Sequence, residues 1–346
     1  MMKLKPYFKS NKFYKKTLSL LIKLWRGNRN SMIQLPYYRT IAEREKYFER
    51  IPICNFTELL KCLQKDFDSG CYFRGQADSS WKLYSFLQRE YIQKGFNSHY
   101  QSITELFRGL IDQARKRYFS EISGYCQIQH DLAVGSVLQH YGCPTPFVDF
   151  SESIDVALFF ATEMLASASN FETNNFISVY VINEGGTAAT PEHDLMNYSR
   201  IFSEFKNKIE MIRNEIEDIN VNYPHIDELN ELAFFSQYQM LLLKDTDEEW
   251  LKIKNPRLDL QKGLFIYSGQ SALIPYEEIM QPLSGNASYC DKLIFDKIKV
   301  YDIPKSIRSD IKKYLEIKKI SSSSLGFQTD SWGKKLYNDF ISPIIK

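Results

Sequence analysis

Residues 133–161 read AVGSVLQHYGCPTPFVDFSESIDVALFFA, and this stretch decides how the chain folds. Val134, Val137, Leu138 and Tyr141 recur at i, i+3, i+4 and i+7, the spacing of one helix face. Gly142 stops that helix, and Pro144 and Pro146 keep it from resuming. Phe147–Phe150 is a short apolar run with Asp149 set into it, the pattern of a buried strand that carries one carboxylate. Ser151 stands where a helix N-cap belongs, and Ile154, Ala157, Leu158 and Ala161 mark a second apolar helix face. A helix, a turn, a strand and a helix follow in order, with His140, Asp149 and Ser151 at the joints. That order predicts the floor of a site.

Working outward, Cys71–Phe73 reads as a strand that runs into Arg74-Gly75-Gln76, after a turn at Asp66–Gly70. Phe176–Ile182 (FISVYVI) is β-branched and aromatic throughout and predicts the strongest strand. Leu260–Tyr267 and Lys292–Val300 read as further strands, the second with Leu293, Phe295, Ile298 and Val300 as its apolar positions. Helical patterns cover Tyr37–Cys62 (Asn55 capping its last part), Trp81–Glu90 and Glu105–Phe119. Pro304 opens a final helix, Lys305–Leu315. Asp194–Asp247 changes character: Phe205–Ile219 is a charged amphipathic helix, and the segment reads as a helical insertion or lid between strands. The expectation is an α+β fold with a mixed sheet core, a helical N-terminal region and a helical insertion at about 194–247. It divides the chain into a basic extension, 1–31, and an α/β domain, 32–346.

Composition narrows the class. The 346 residues are 44% hydrophobic and 25% charged, ordinary for a soluble globular protein. Aromatics reach 14%, which reads either as a bulky core or as an aromatic ligand groove. A net charge of +2 gives no whole-molecule case for nucleic acid or membrane binding. The first 30 residues differ: they hold nine Lys and Arg and no acid, the first being Glu43, around an apolar cluster from Leu18 to Trp25. That segment reads as a poorly ordered or packed extension, or as a basic amphipathic helix making a weak membrane or RNA contact. The six cysteines include no CxxC and no Cys/His grouping with zinc spacing. They read as reduced thiols of a cytoplasmic protein, and no metal is expected.

Three local features carry chemistry. In Tyr72-Phe73-Arg74-Gly75-Gln76 a fixed cation sits at a strand end; Arg suits phosphate or carboxylate, and the glycine lets a ligand approach the backbone. The alternative is a structural Arg74 paired to Asp149. In Gln139-His140-Tyr141-Gly142 a histidine closes a helix, as a satisfied structural residue or as a catalyst; a Cys143–His140 nucleophile pair is a further alternative. Gln261-Lys262-Gly263-Leu264-Phe265 sets another polar residue at a strand start.

Together these blocks resemble the FRG domain, a family named for its Phe-Arg-Gly motif. Phe73-Arg74-Gly75-Gln76 is similar to the motif itself, and Leu138–Thr145 followed by Phe147–Ser151 to the family's second block, with Pro146 where Arg is common. Gln261–Phe265 resembles the third block, and Lys297–Leu315 with Leu325-Gly326-Phe327 the C-terminal region. A fainter resemblance is to arginine-type ADP-ribosyltransferases: Phe73-Arg74-Gly75, then Phe147–Ser153 leading into Val156–Ala161. It implies a split sheet and NAD as substrate, with Arg74 on its phosphates and Phe73, Gly75, Gln76, Gln139, Tyr141 and Ser151 around it. Arg74, His140, Asp149 and Gln261 are then the catalytic candidates. Where that fold places a glutamate, this chain offers Gln261, with Glu277–Glu278 in a turn beyond Pro275 and Glu152 as further acids. The implied activity is ADP-ribose transfer to a macromolecule, as in a bacterial phage-defence or toxin effector. The competing readings are a non-catalytic nucleotide- or protein-binding sensor and a hydrolase or nuclease using His140 with Asp149.

Overall fold

The computed structural model describes residues 35–96, 103–126, 131–163, 170–183, 196–197, 241–243, 256–267, 273–279, 298–327 and 332–345. Thr40 starts the first helix, α1 (Ile41–Glu45): its hydroxyl accepts from Glu43 N while the Glu43 carboxylate turns back to the Thr40 amide. Phe48–Pro52 then extends as β1, so Tyr37–Cys62 is not one helix. Phe48 is buried against the ring of Tyr180, 5.3 Å away, and this tertiary contact overrides the local helical pattern. Asn55 caps α2 (Phe56–Asp68), accepting from Glu58 N at 2.9 Å. The helix continues through the first three residues of the expected turn. Asp66 in its last turn is buried, bonded to Lys299 Nζ and Tyr301 Oη, each at 2.6 Å.

The chain continues through β2 (Cys71–Gln76), α3 (Phe86–Lys94), α4 (Ile103–Arg117), α5 (Phe119–Ser123), α6 (Asp131–His140), β3 (Val148–Ser151) and α7 (Ile154–Glu163). Next come β4 (Phe176–Asn183), β5 (Met196–Asn197), β6 (Leu241–Leu243), α8 (Pro256–Gln261) and β7 (Gly263–Tyr267). α9 (Tyr276–Ile279), β8 (Ile298–Pro304), α10 (Arg308–Ile317) and α11 (Trp332–Ile345) complete it. The segment around 260 departs from expectation: Gln261 ends a helix, and the strand begins at Gly263, after Lys262 at φ 43°. Glu277 and Glu278 stand in the short helix α9 rather than in a turn. The basic extension and the helix expected at 205–219 lie outside the described residues. The described parts of the insertion, β5 and β6, are strands at one sheet edge.

The fold is α+β, built on one mixed sheet of order β1-β8-β4-β2-β3-β7-β6-β5. β2 pairs with β4 at six positions, Cys71–Gln76 against Ser178–Asn183, but meets β3 only where Phe73 faces Ser151. The sheet therefore opens between β2 and β3. One apolar cluster packs α2, α7 and α10 on Phe73, Val179, Val181 and Ile303. A second packs α3, α4, α6 and α11 against Phe147, Phe265 and Tyr267. Tyr72, Tyr180, Val300 and Ile266 contribute to a third. No described helix is long and apolar enough to cross a membrane.

Candidate binding site at the split of the sheet

A cavity of about 580 Å³ lies at the opening between β2 and β3. Its lining draws on elements of all three apolar clusters: Phe73–Gln76 of β2, Asp149–Ser151 of β3, Val156, Ala157 and Phe160 of α7, His140 of α6, Arg89 of α3, and Gln261. Its volume is within the range of small-molecule sites. Arg74 spans the split. Its Nη1 donates to the Asp149 carbonyl at 2.7 Å and lies 3.7 Å from Asp149 Oδ2, while Nε is buried with no hydrogen-bond partner among the described residues. The expected pairing of Arg74 with Asp149 is present, and Arg74 also lines the cavity.

Gly75 has a different reason to be glycine than ligand approach. A Cβ there would sit 1.8 Å from the Ala157 carbonyl oxygen and 2.6 Å from Ala161 N. The closely approaching backbone is that of α7. Ala157 and Ala161, four residues apart, keep this face of the helix small. Ser151 does not cap that helix either. Ser153 does, with Oγ 3.4 Å from Val156 N, while Ser151 Oγ donates to the Gln261 carbonyl at 2.7 Å and accepts from Ser153 N at 2.9 Å. Gln261 supports the cavity wall: its side-chain amide is buried and donates to the Leu325 carbonyl at 3.0 Å. At the expected catalytic position the chain thus offers an amide, engaged with Leu325, and no carboxylate.

His140 lines the cavity with its ring edge-on to Phe265, centroids 5.6 Å apart, and its Nε2 is buried without a partner among the described residues. Burial holds it down to about 4; Asp149 pulls the other way and Arg257 adds to burial. It is a neutral imidazole at pH 7. Asp149 is half exposed and fixed from behind: Gln139 Nε2 donates to its Oδ1, and Gln139 Oε1 accepts from the buried Thr145 hydroxyl. Gln139 is therefore a positioning residue outside the lining. Tyr141 is outside it too, stacked on Trp332 at 5.0 Å with Arg257 over its ring at 4.5 Å. The Cys143 thiol is pushed far up by burial, which removes the nucleophile reading. Among the described residues no group of three His, Cys, Asp or Glu could hold a metal ion.

Several lining residues escaped the motifs. Arg89 brings a second guanidinium; its Nη1 donates to the Tyr84 carbonyl at 2.7 Å. Burial first, and then the neighbouring Arg74, lower it to about 10, so it keeps its charge at neutral pH. Lys82 lines the cavity and pairs with Glu278 at 2.7 Å. Asp78 also lines it, accepting from Ser80 N at 2.8 Å. Behind them Glu277 is fully buried, accepting from Tyr38 Oη at 2.5 Å and Leu83 N at 3.0 Å. Burial pushes it up to about 7. The one sequence signal for this region was the run of polar residues after Gln76; Arg89 had none, since only the docking of α3 brings it here.

Residues 69–170 match the family model described as the FRG domain. The match takes in β2, α3–α7 and the Phe73-Arg74-Gly75-Gln76 motif, and stops before Gln261 and the C-terminal strands. No curated protein and no solved structure matches the chain.

Proposed function

We propose that the cavity of this FRG domain binds the phosphates of a nucleotide, NAD first among them, between the guanidiniums of Arg74 and Arg89. The observation that carries this is the pairing of two arginines in one cavity, close enough for Arg74 to disfavour the charge on Arg89. Two neighbouring cations in a partly desolvated site attract an anion, and guanidiniums match phosphate oxygens in geometry. Asp149 only partly offsets them, at 3.7 Å from Arg74. The apolar surfaces of Phe160, Phe171 and Trp81 suit the rings of such a ligand.

A second reading, transfer of ADP-ribose to a macromolecule, is favoured by Asp149. It is a lining acid that is half exposed, whereas Asp78 is buried in hydrogen bonds. In that chemistry the bond from the ribose carbon to the nicotinamide nitrogen breaks and nicotinamide leaves with the electron pair. The Asp149 carboxylate faces the cation left on the ribose until an acceptor oxygen or nitrogen attacks. A role in phage defence or as a toxin belongs to this reading.

The test is thermal unfolding of wild type, Arg74→Ala and Arg89→Met with and without NAD, with nicotinamide release followed in parallel. At a hundredfold excess over Kd, NAD stabilises the wild type by about 2.7 kcal/mol and the two variants by much less. Nicotinamide release that Asp149→Asn abolishes supports transfer. Wild type unmoved by millimolar NAD and by millimolar ADP sinks the binding reading.

A further inference from the structure

Gln76 carries the inference furthest. Its side chain is 7% exposed, and all three of its hydrogen bonds run through Nε2. Nε2 lies 3.1 Å from the Asp78 carbonyl, 2.8 Å from the Trp81 carbonyl and 3.2 Å from Tyr180 Oη. Carbonyl oxygens only accept, so the two main-chain contacts fix which end of the amide is nitrogen. Oε1 receives nothing from the described residues, and Gln76 lines the cavity. The amide cannot turn over without opposing Oε1 to two carbonyls.

The mounting is rigid. Tyr180 Oη is also bonded to Arg44 Nη2 at 3.2 Å, and Arg44 is buried against Asp302. Asp302 is held in turn by Arg50 Nε at 2.7 Å and Ser79 Oγ at 3.2 Å. Apart from Arg44 Nε, which has no partner among the described residues, the members of this buried network are bonded to one another, and that holds them in one arrangement. It fixes the orientation of the Gln76 amide in a cavity whose other polar residues include the donors Arg74, Arg89 and Lys82 and the acids Asp78 and Asp149. Beside it stand three aromatic residues: Tyr37 bridges Trp81 through the backbone and lies 6.3 Å from Phe171.

We infer that Gln76 is a specificity residue: its Oε1 accepts a hydrogen bond from the exocyclic amino group of the nucleobase, which the aromatic end of the cavity takes up. The inference rests on the nucleotide reading above and narrows it to amino-bearing bases. An oxo group in the same place would set oxygen against oxygen and leave a buried acceptor unpaired.

The experiment compares two pairs of nucleoside diphosphates that differ by amino against oxo, ADP with IDP and CDP with UDP. Binding to the full chain is measured by calorimetry. The expected result is a preference of tenfold or more for the amino member of at least one pair, reduced to within about threefold in Gln76→Met. Equal binding within both pairs, or a preference that survives in Gln76→Met, overturns the inference and leaves the nucleotide reading standing. Binding of none of the four overturns both. Equal binding by the wild type overturns the inference even where Gln76→Met does not fold.

Discussion

Gly75→Ala is the sharpest perturbation the fold offers. The new methyl would lie 1.8 Å from the Ala157 carbonyl oxygen, 2.8 Å from its carbon and 2.6 Å from Ala161 N. Nothing in that set is a side chain that can rotate away. Relief requires α7 to move off β2 by about 1.6 Å, the gap to an ordinary contact at 3.4 Å, which opens the packing of Val156, Ala157 and Ala161 on Phe73. Overpacking typically costs 1–3 kcal/mol when side chains can adjust. A clash against main chain belongs at the top of that range, so we expect a loss of about 3 kcal/mol. For a chain of this length that is a fall in Tm of about 4 °C, if unfolding is cooperative. Urea unfolding followed by circular dichroism reads the loss as a shift in midpoint at unchanged slope. Because α7 also walls the cavity, nucleotide affinity falls in the same variant. Gly75→Ala with wild-type stability would refute the claim that the motif glycine serves the helix–strand contact.

Two variants test the buried titrating groups, and their signs oppose. His140 sits at about 4 in the fold against an ordinary 6.5. Its contribution is complete above pH 6.5 and is lost as pH falls through 4. Relative to His140→Leu, wild type should lose about 3 kcal/mol between pH 7 and pH 4 by chemical denaturation; a constant difference contradicts the burial of a neutral ring. Glu277 sits at about 7 against 4.5. Its contribution is complete below pH 4.5 and is lost as pH rises through 7. Glu277→Gln, which mimics the protonated acid, should gain about 3 kcal/mol on wild type between pH 4.5 and pH 8. Between pH 4.5 and 6.5 the two slopes offset each other, so wild type alone would show neither.

Much of the arrangement around the cavity was legible because it is local. The helix of α6, the stop at Gly142, the strand at Val148–Ser151 and the β-branched run of β4 follow from period and turn chemistry over a few residues. Phe73–Gln76, His140, Asp149, Ser151 and Gln261 fall on one lining because they lie on the two strands at the split or at helix ends beside it. What could not be read depends on docking. β1 carries Glu49 and Arg50 and gains its strand state from β8, which it pairs through Ile298–Asp302. Gly75 looked like a ligand approach because the sequence does not say which backbone comes near. Ser151 looked like a cap because Ser153, the actual cap, offers the same hydroxyl two residues on. Arg89 becomes part of the lining only when Leu87 and Tyr91 of its helix bury themselves beside α4 and α6.

The contact between β2 and β3 at Phe73 alone has a consequence for how this protein can be dissected. Past that point, the main-chain amides and carbonyls of Arg74–Gln76 that point away from β4 have no strand opposite them. At the rim of a sheet such groups recruit another chain. Here they form an interior edge, on residues that line the cavity. Recognition through that edge is invisible to alanine scanning, since every residue except proline supplies the same amide. Replacing single peptide bonds by esters between Arg74 and Ala77 would expose it, one hydrogen bond at a time.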